Sequence, residues 1–506
     1  MMLQNAARAR RCAGWTFLFV FLAYGCRALS TGFGGDAALI SMTGQAAYQT
    51  SLGRFLQPVY WQIRGSLVVP SVVVPFTAVF LALTCLLISN LFDLSGSREI
   101  ALLSGLLAAH ETFAVTAATY LPWMDVYALA LLLSALGASC FLSGGRKTWL
   151  SPLFFMLSLG LYQSYLPVAA VLIILVLIRR TLCGERPARI FQTGLLACVS
   201  LVAGLLLYAL AFKAALALAG GGASYDYNGV GSLGFFDFAG IPGYLLDTVL
   251  TPIRFLFNPD SNAVASHTPS ISAFLNLALL LLGLVMLAAR AKALRRRSKL
   301  MLLLLVFLLI PGCNFIQFIW QGTVSGLTIY AYVFFDVAVL LLTVPALHMR
   351  RPLARFAAIG AQVLLCAVIL QNTLLAHQLC VKRDLEWSST LSAFTRILDE
   401  AEQTEGYVPG ETPVVIVGML PSSRISMERP GFESLSGFQG ARYTYAAAYE
   451  SANPWYLRMI LGERVRLVED SVMRALSATP EAQAMPCFPG EGFCQMIDGM
   501  LYIRIS

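Results

Sequence analysis

Residues 67–92 read LVVPSVVVPFTAVFLALTCLLISNLF, a run of 26 residues without a charged side chain. A helix needs about 20 apolar residues to cross the hydrocarbon core of a bilayer, which is ~30 Å thick. The whole chain is 58% hydrophobic and only 12% charged, with a mean hydropathy of +0.72. Soluble domains carry about 25% charged residues. These values exclude an ordinary soluble protein and predict a polytopic α-helical membrane protein.

Similar apolar runs lie on both sides of this stretch, and we predict about 11 transmembrane helices in total. Their expected positions are 15–30, 67–92, 99–119, 124–143, 149–162, 164–179, 190–218, 270–289, 300–319, 326–347 and 357–377. The fifth and sixth runs are short and are also compatible with a re-entrant pair. The first 14 residues are basic, as in a signal peptide, but no small-residue cleavage site follows. A retained first span is therefore expected.

The basic residues indicate how the chain is oriented. With a cytoplasmic N-terminus, the inner loops hold 19 Lys and Arg residues and the short outer loops hold 3. Cytoplasmic loops carry such an excess. We therefore predict that loops 31–65 and 219–269, and the tail from 378, lie outside the cytoplasmic membrane. Because the net charge of +8 is distributed between the spans, it does not point to nucleic-acid binding.

The tail differs in composition from the rest of the chain, and we predict two domains, 1–377 and 378–506. Residues 385–405 resemble an amphipathic helix, and PVVIVGML (413–420) and MLYIRIS (500–506) resemble strands. A small extracytoplasmic α/β domain is expected. Its two cysteines, Cys487 and Cys494, are compatible with a disulfide or with two free thiols.

Asp36 is the acidic residue of the outer loop 31–65, a few residues beyond the first span. Inverting glycosyl transfer from a phosphate donor needs a carboxylate that takes the proton of the acceptor hydroxyl. It also needs cationic groups that stabilise the departing phosphate. Asp36 is a candidate for the base, and the alternative is a solvated loop residue or the N-cap of a helix that begins at Ala37.

Three further charged residues are candidates for the same site. Arg54 follows Gly53 where the chain returns to the membrane, and a guanidinium there either binds a phosphate bidentately or contacts lipid headgroups. Glu111 and Asp125 belong to predicted spans, where ionisable side chains are costly and usually face a polar cavity. A buried structural role is the alternative for both, and Glu111 is the second candidate for the base.

The remaining candidates are polar and aromatic. Tyr162 and Gln163 lie at the outer turn between the fifth and sixth spans, where they would bind a sugar or form part of an aromatic belt. His267 is a single histidine on the outer surface, and with Asp36 it would suit a divalent metal, although nothing in their spacing requires one. Asp336 and Lys213 are weaker candidates within spans.

With these features in place, the sequence resembles the type II O-antigen glucosyltransferases. The resemblance rests on the order of five segments, which are SLGRFLQP (51–58), GLYQSYLP (160–167), FNP (257–259), PVVIVG (413–418) and MPCFPGEGFCQMIDGMLYIRIS (485–506). It implies a GT-C fold. The sequence itself assigns no cofactor, and a divalent metal stays an alternative. The resemblance also places Asp36 at the essential acid of the loop and Gly53-Arg54 at a Gly-Arg step. Members often carry two adjacent acids where this chain has Gly35-Asp36.

The same resemblance implies the partners. These are a polyprenyl-phosphate glucose donor in the outer leaflet, a cell-surface glycan acceptor, and a functional link to a flippase and to a polyprenyl-phosphate-glucose synthase. Two alternatives remain open. One is a GT-C transferase for another sugar, such as mannose or arabinose, and the other is a lipid-linked-sugar flippase. The outer domain and the lack of an evident internal repeat favour an enzyme over a transporter.

Overall fold

The structure is a computed structural model that describes residues 2–30, 46–65, 68–219, 240–257, 270–320, 324–420, 435, 457, 461–462 and 464–506. These residues form two compact units. The first unit contains the described residues of 2–29, 46–117 and 121–377. The second contains Ser30, Ala118–Tyr120 and the described part of Gln378–Ser506.

The first unit is built from helices. In chain order they are α1 Met2–Leu29, α2 Ala46–Ser51, α3 Leu56–Arg64, α4 Pro70–Leu91, α5 Ser97–Ala108, α6 Glu111–Thr119, α7 Met124–Ser143, α8 Ser151–Leu161, α9 Leu166–Leu182, α10 Pro187–Leu218, α11 Ile241–Phe257, α12 Ser270–Ala291, α13 Arg296–Gly312, α14 Phe315–Trp320, α15 Val333–Leu347 and α16 Pro352–Gln403. Short 3-10 turns precede α7, α8, α9 and α15.

Eight helices in the described part of the chain are long and apolar enough to cross a membrane, or nine if the bent pair α5–α6 is one span. Of the other predicted spans, α8 has 11 residues and α13 has 17, so both are shorter than the ~20 residues that a straight span needs. A polytopic helical membrane protein is therefore confirmed. The count of eleven and the GT-C fold stay predictions.

The third predicted span is bent by 45° between α5 and α6. A bend interrupts the helical hydrogen bonds, and in a membrane each freed backbone group needs another partner. Two buried tyrosines provide it. The Tyr330 hydroxyl donates to the carbonyl of Leu107 at 2.9 Å, and the Tyr24 hydroxyl donates to that of Ala108 at 2.8 Å. Side chains from α1 and from the turn before α15 therefore stabilise the bend, because they donate hydrogen bonds to its backbone carbonyls.

Our prediction of a span at 357–377 followed by a separate amphipathic helix at 385–405 was wrong in one respect. The structure has one continuous helix, α16, of 52 residues, whose residues from Gln378 onward belong to the second unit. The sequence contains no Gly or Pro between 361 and 405, so nothing in that stretch ends a helix. The change from an apolar to a polar surface therefore occurs within one element.

The second unit contains a four-stranded sheet formed by β1 Pro413–Val417, β2 Arg466–Leu467, β3 Cys494–Ile497 and β4 Met500–Arg504. The strand order is β2-β1-β4-β3. β1 pairs in parallel with both β2 and β4, with Val414 opposite Leu501. β3 and β4 form an antiparallel hairpin whose turn residues, Asp498 and Gly499, both have positive φ. Asp-Gly is favoured in such tight turns.

Both faces of β1 are buried, which explains its uninterrupted apolar sequence. Val414 and Ile416 pack with Phe394 and Ile397 of α16. Val415 and Val417 face the other side, where they pack with Ala482 and Met485. Two short helices, α17 Asp470–Ser477 and α18 Pro480–Ala484, cover that side. A small C-terminal sheet region with the two predicted strands is thus present.

Cys487 and Cys494 are free thiols in this structure. Burial, together with the nearby carboxylate of Glu400, raises the pKa of the Cys494 thiol to about 12, while Cys487 is only half-buried. Because the thiolate is the reactive form, we expect an alkylating reagent at neutral pH to label Cys487 and to spare Cys494 until the protein unfolds. Peptide mapping by mass spectrometry measures this. If neither cysteine is alkylated until a reducing agent is added, the two form a disulfide instead.

Candidate active site

A tight turn at Leu52–Arg54 is the best-defined feature of the predicted catalytic loop. Helix α2 ends at Ser51, and Gly53 has a φ of +79°, a conformation that glycine adopts without strain. The amide of Gly53 donates to the carbonyl of Thr50, and the amide of Arg54 donates to that of Gln49, each at 2.9 Å. The turn closes the helix end and directs the chain into α3.

Two buried side chains from distant segments hold this turn. The Gln163 amide donates to the Leu52 carbonyl at 2.8 Å and lies 3.0 Å from the Tyr208 hydroxyl. The Tyr208 hydroxyl donates to the Gly53 carbonyl at 3.1 Å. A Cβ atom on Gly53 would lie 2.2 Å from the Tyr208 hydroxyl oxygen and 2.8 Å from the Gln163 nitrogen. Only glycine fits this position.

The turn places the guanidinium of Arg54 over the ring of Tyr162, 4.8 Å from its centroid. This is a cation–π distance. Arg54 also lies 3.4 Å from the Gln49 side-chain oxygen. The structure thus brings Arg54 next to Tyr162 and Gln163, although more than 100 residues separate Arg54 from these two in the sequence. A guanidinium, the group that binds phosphate bidentately, is thus placed beside an aromatic ring.

A row of aromatic rings extends from Arg54 toward Glu111. Tyr162 contacts Tyr165, Tyr165 contacts Tyr330, and Tyr330 contacts His110, with ring centroids 6.0, 5.5 and 5.1 Å apart. Glu111 follows His110 as the first residue of α6 and is only 6% exposed. The N-terminus of a helix favours a negative charge, so this buried carboxylate is stabilised where the span bends. Glu111 therefore lies beside the last ring of this row.

Asp125 has a different environment. Its carboxylate forms an ion pair with Arg64 at 2.7 Å and accepts a hydrogen bond from the Tyr60 hydroxyl at 2.9 Å. It also accepts one from the amide of Val126 at 3.0 Å. The side chains of Asp125 and Arg64 are 0% and 2% exposed. The contacts with Arg64 and Tyr60 have a structural role, because they join α3 to the start of α7. The predicted role of Asp125 in binding donor or acceptor stays a prediction.

Replacing Asp125 with asparagine leaves the Arg64 guanidinium buried without its counter-charge. Breaking a buried ion pair typically costs 3–5 kcal/mol, so we expect a clear fall in the thermal unfolding midpoint in detergent micelles. Glu185→Gln is the matched control, because its partner Arg189 is 76% exposed. That change should cost less than about 1 kcal/mol. Equal effects of both variants would contradict a structural role for the Asp125 pair.

The sequence analysis missed a cluster of charged residues in the second unit. Glu386 of α16 contacts both Lys382 and Arg383, and all three side chains are at most 6% exposed. Arg383 also donates to the Thr119 hydroxyl at 3.1 Å. Next to it, Asp384 accepts a hydrogen bond from Ser30 at 2.9 Å. The signal in the sequence was the stretch VKRDLE (381–386), which follows an apolar span directly.

A second missed residue is Arg27 in the last turn of α1. Its side chain is 1% exposed, and its Nε donates to the carbonyl of Ala117 at 3.0 Å. This hydrogen bond joins the end of α1 to α6.

The other candidates are distributed as follows. Asp36 and His267 lie outside the described residues, so the proposed base and metal pair stay predictions. Within the described part of the chain, no group of three or more His, Cys, Asp and Glu side chains could hold a metal ion. Lys213 is exposed on α10, and Asp336 lines an apolar cavity away from Arg54.

The fold and this site define a polytopic helical membrane protein in which a half-buried arginine lies against buried aromatic side chains. The sequence model of one protein family, described as Glucosyl transferase GtrII, matches residues 36–343. The match covers more than half of the chain, so the protein belongs to this family and is a membrane glucosyltransferase. The resemblance to type II O-antigen glucosyltransferases is thereby confirmed. No curated protein and no solved structure gave a significant match.

Proposed function

We propose that the protein is an inverting glucosyltransferase that moves glucose from polyprenyl-phosphate glucose to a cell-surface glycan. The reaction takes place at the outer face of the cytoplasmic membrane. The observation that carries this proposal is the position of Arg54, which the Gly53 turn holds over Tyr162 in a chain of the GtrII family. The excess of basic residues in the predicted inner loops supports an outward-facing site.

In this mechanism the acceptor hydroxyl oxygen attacks the anomeric carbon of glucose, and the bond from that carbon to the phosphate oxygen breaks. The proton of the hydroxyl passes to a carboxylate, and polyprenyl phosphate leaves. Arg54 stabilises the negative charge that develops on the phosphate, which a guanidinium does well because it binds two oxygens at once. The aromatic rings beside it contact the sugar.

Asp36 is the proposed base and Glu111 is the alternative. Asp36 is the only acid of the predicted outer loop 31–65, and it falls within the residues that the family model matches. Glu111 is the alternative because it is a buried carboxylate within a predicted span, where ionisable side chains are costly. We place the enzyme after a polyprenyl-phosphate-glucose synthase and a flippase, because its donor must be made and then moved to the outer leaflet.

Purified protein in liposomes, given radiolabelled polyprenyl-phosphate glucose and isolated surface glycan, should transfer label to the glycan. Parallel reactions with mannose and arabinose donors test the identity of the sugar. If label is transferred from the mannose or arabinose donor but not from the glucose donor, then that other sugar is the substrate and glucose is not. Label that crosses the bilayer on the lipid and never reaches the glycan would favour the flippase alternative.

A further inference from the structure

An apolar cavity of about 790 Å³ lies in the first unit, away from the candidate active site. It runs between α9, α11, α12, α13 and α15, and we call it the apolar groove. Its walls consist almost entirely of aliphatic and aromatic side chains, such as Leu280, Leu309 and Val339. The volume falls within the range of about 300–1,000 Å³ that is usual for ligand sites. Such a lining suits hydrocarbon chains.

One end of the apolar groove is cationic. Its lining there includes Arg179 near the end of α9, Arg290 near the end of α12, and His348 just beyond α15. Gly283 of α12 lies against Val339 of α15, and Arg351 donates to the carbonyl of Ala289. These two contacts show that α12 and α15 run in the same direction. The two helices therefore place Arg290 and His348 at the same end.

The charges at this end are not balanced. Arg179 pairs with Asp93 at 2.6 Å. Arg290 lies within electrostatic range of Arg179, and no carboxylate of the described residues lies within ion-pair distance of it. Asp336, the other acid in the lining, is on the first turn of α15 and so lies toward the opposite end. An anionic group is therefore attracted to Arg290.

This end is far from the candidate active site. The turn that carries Tyr162 and Gln163 immediately precedes α9, whereas Arg179 lies in its last turn. A rise of 1.5 Å per residue from Leu166 to Arg179 separates the two by about 20 Å. A lipid whose headgroup lies at Arg290 therefore cannot present a sugar to Arg54. The occupant is a second lipid and not the reacting donor.

We propose that the apolar groove binds an anionic glycerophospholipid of the surrounding membrane. Its acyl chains lie between α12, α13 and α15, and its phosphate contacts Arg290, with Arg179 and His348 at the same mouth. Basic pockets between membrane helices bind anionic headgroups in this way. A zwitterionic lipid adds a positive charge that the two arginines disfavour.

Native mass spectrometry of the full-length protein in neutral detergent tests this site. Phosphatidylglycerol and phosphatidylcholine with identical acyl chains are titrated separately. We expect one phosphatidylglycerol per protein to bind in preference to phosphatidylcholine. Arg290→Gln should weaken that binding about fivefold, as expected for one cation next to an anionic lipid. Arg295→Gln is the matched control, because Arg295 is exposed in the following loop and does not line the groove.

A second pair of variants tests the hydrocarbon part without changing the charge. Leu280 lines the apolar groove, whereas Leu277 is a similarly exposed leucine of α12 outside it. Leu280→Trp should weaken binding by narrowing the groove, and Leu277→Trp should not. This pair remains informative even if Arg290→Gln fails to fold.

Three outcomes would overturn the proposal. They are equal binding of both phospholipids, equal effects of the arginine variant and its control, or displacement of bound phosphatidylglycerol by an equimolar polyprenyl phosphate. The last result would identify the groove as a site for the carrier lipid. None of these measurements depends on glucosyl transfer, so this proposal and the proposed function succeed or fail separately.

Discussion

Gly53→Ala should reduce kcat/KM for glucosyl transfer by about 100-fold or more, because it displaces Arg54. The new Cβ would lie 2.2 Å from the Tyr208 hydroxyl oxygen, and the residue would keep a φ of +79°. Tyr208 has little freedom to move, since its ring is buried between Phe55 and Phe212 with centroids 6.0 Å away on each side. A displacement of about 1 Å in a catalytic group can cost 100-fold in rate.

Gly184→Ala separates this clash from backbone strain. Gly184 has a φ of +87°, ends a helix with the same hydrogen-bond pattern as Gly53, and has nothing within 4 Å of the position of its Cβ. An alanine there also has a positive φ, which costs roughly 1–2 kcal/mol, but it touches nothing. Its activity should stay within about twofold of the unchanged protein. Adding Tyr208→Phe to Gly53→Ala should restore part of the activity, because it removes the nearest clashing atom. Full activity of Gly53→Ala alone would refute the role of the turn.

Asp36→Asn should lower the rate of transfer by between 100-fold and 10,000-fold, the usual contribution of a general base. The amide keeps the size of the side chain but cannot take the acceptor proton. Binding of the donor should be retained, which equilibrium binding of labelled polyprenyl-phosphate glucose measures. The thermal unfolding midpoint should be unchanged, so the loss is not one of folding.

Glu111→Gln is the paired variant that decides between the two carboxylates. If Asp36 is the base, Glu111→Gln should reduce activity less than Asp36→Asn does. The opposite order, with Asp36→Asn active and Glu111→Gln inactive, would assign proton removal to Glu111. In that case the mechanism would centre on the bend between α5 and α6, where Glu111 is buried.

The polytopic fold was predictable because a membrane imposes a strong local rule. Each apolar run must satisfy its own backbone hydrogen bonds, so it forms a helix wherever it is long enough. The strand at 413–417 was predictable for a similar reason, since its apolar residues end at Gly418. The bend at Ala109–His110 was not, because no proline or glycine marks it. It depends on Tyr24 and Tyr330, which are distant in sequence.

The candidate site was only partly predictable. Arg54, Tyr162, Gln163 and Glu111 were selected by residue type and by position relative to the membrane. Asp125 was selected on the same grounds, yet its partner Arg64 is 61 residues away, and the ion pair between them is invisible to local patterns. The buried cluster around Glu386 was missed because its charges resembled the solvated face of an amphipathic helix.

The sequence by itself determined that the chain is a helical membrane protein and which residue types are available for chemistry. These properties depend on transfer free energies and hydrogen bonds within single segments. Only the tertiary structure decided that Gln163 and Tyr208 close on Gly53, and that Arg54 lies over Tyr162. Those contacts join positions 108 to 155 residues apart, so they depend on how the helices pack and not on the segments themselves.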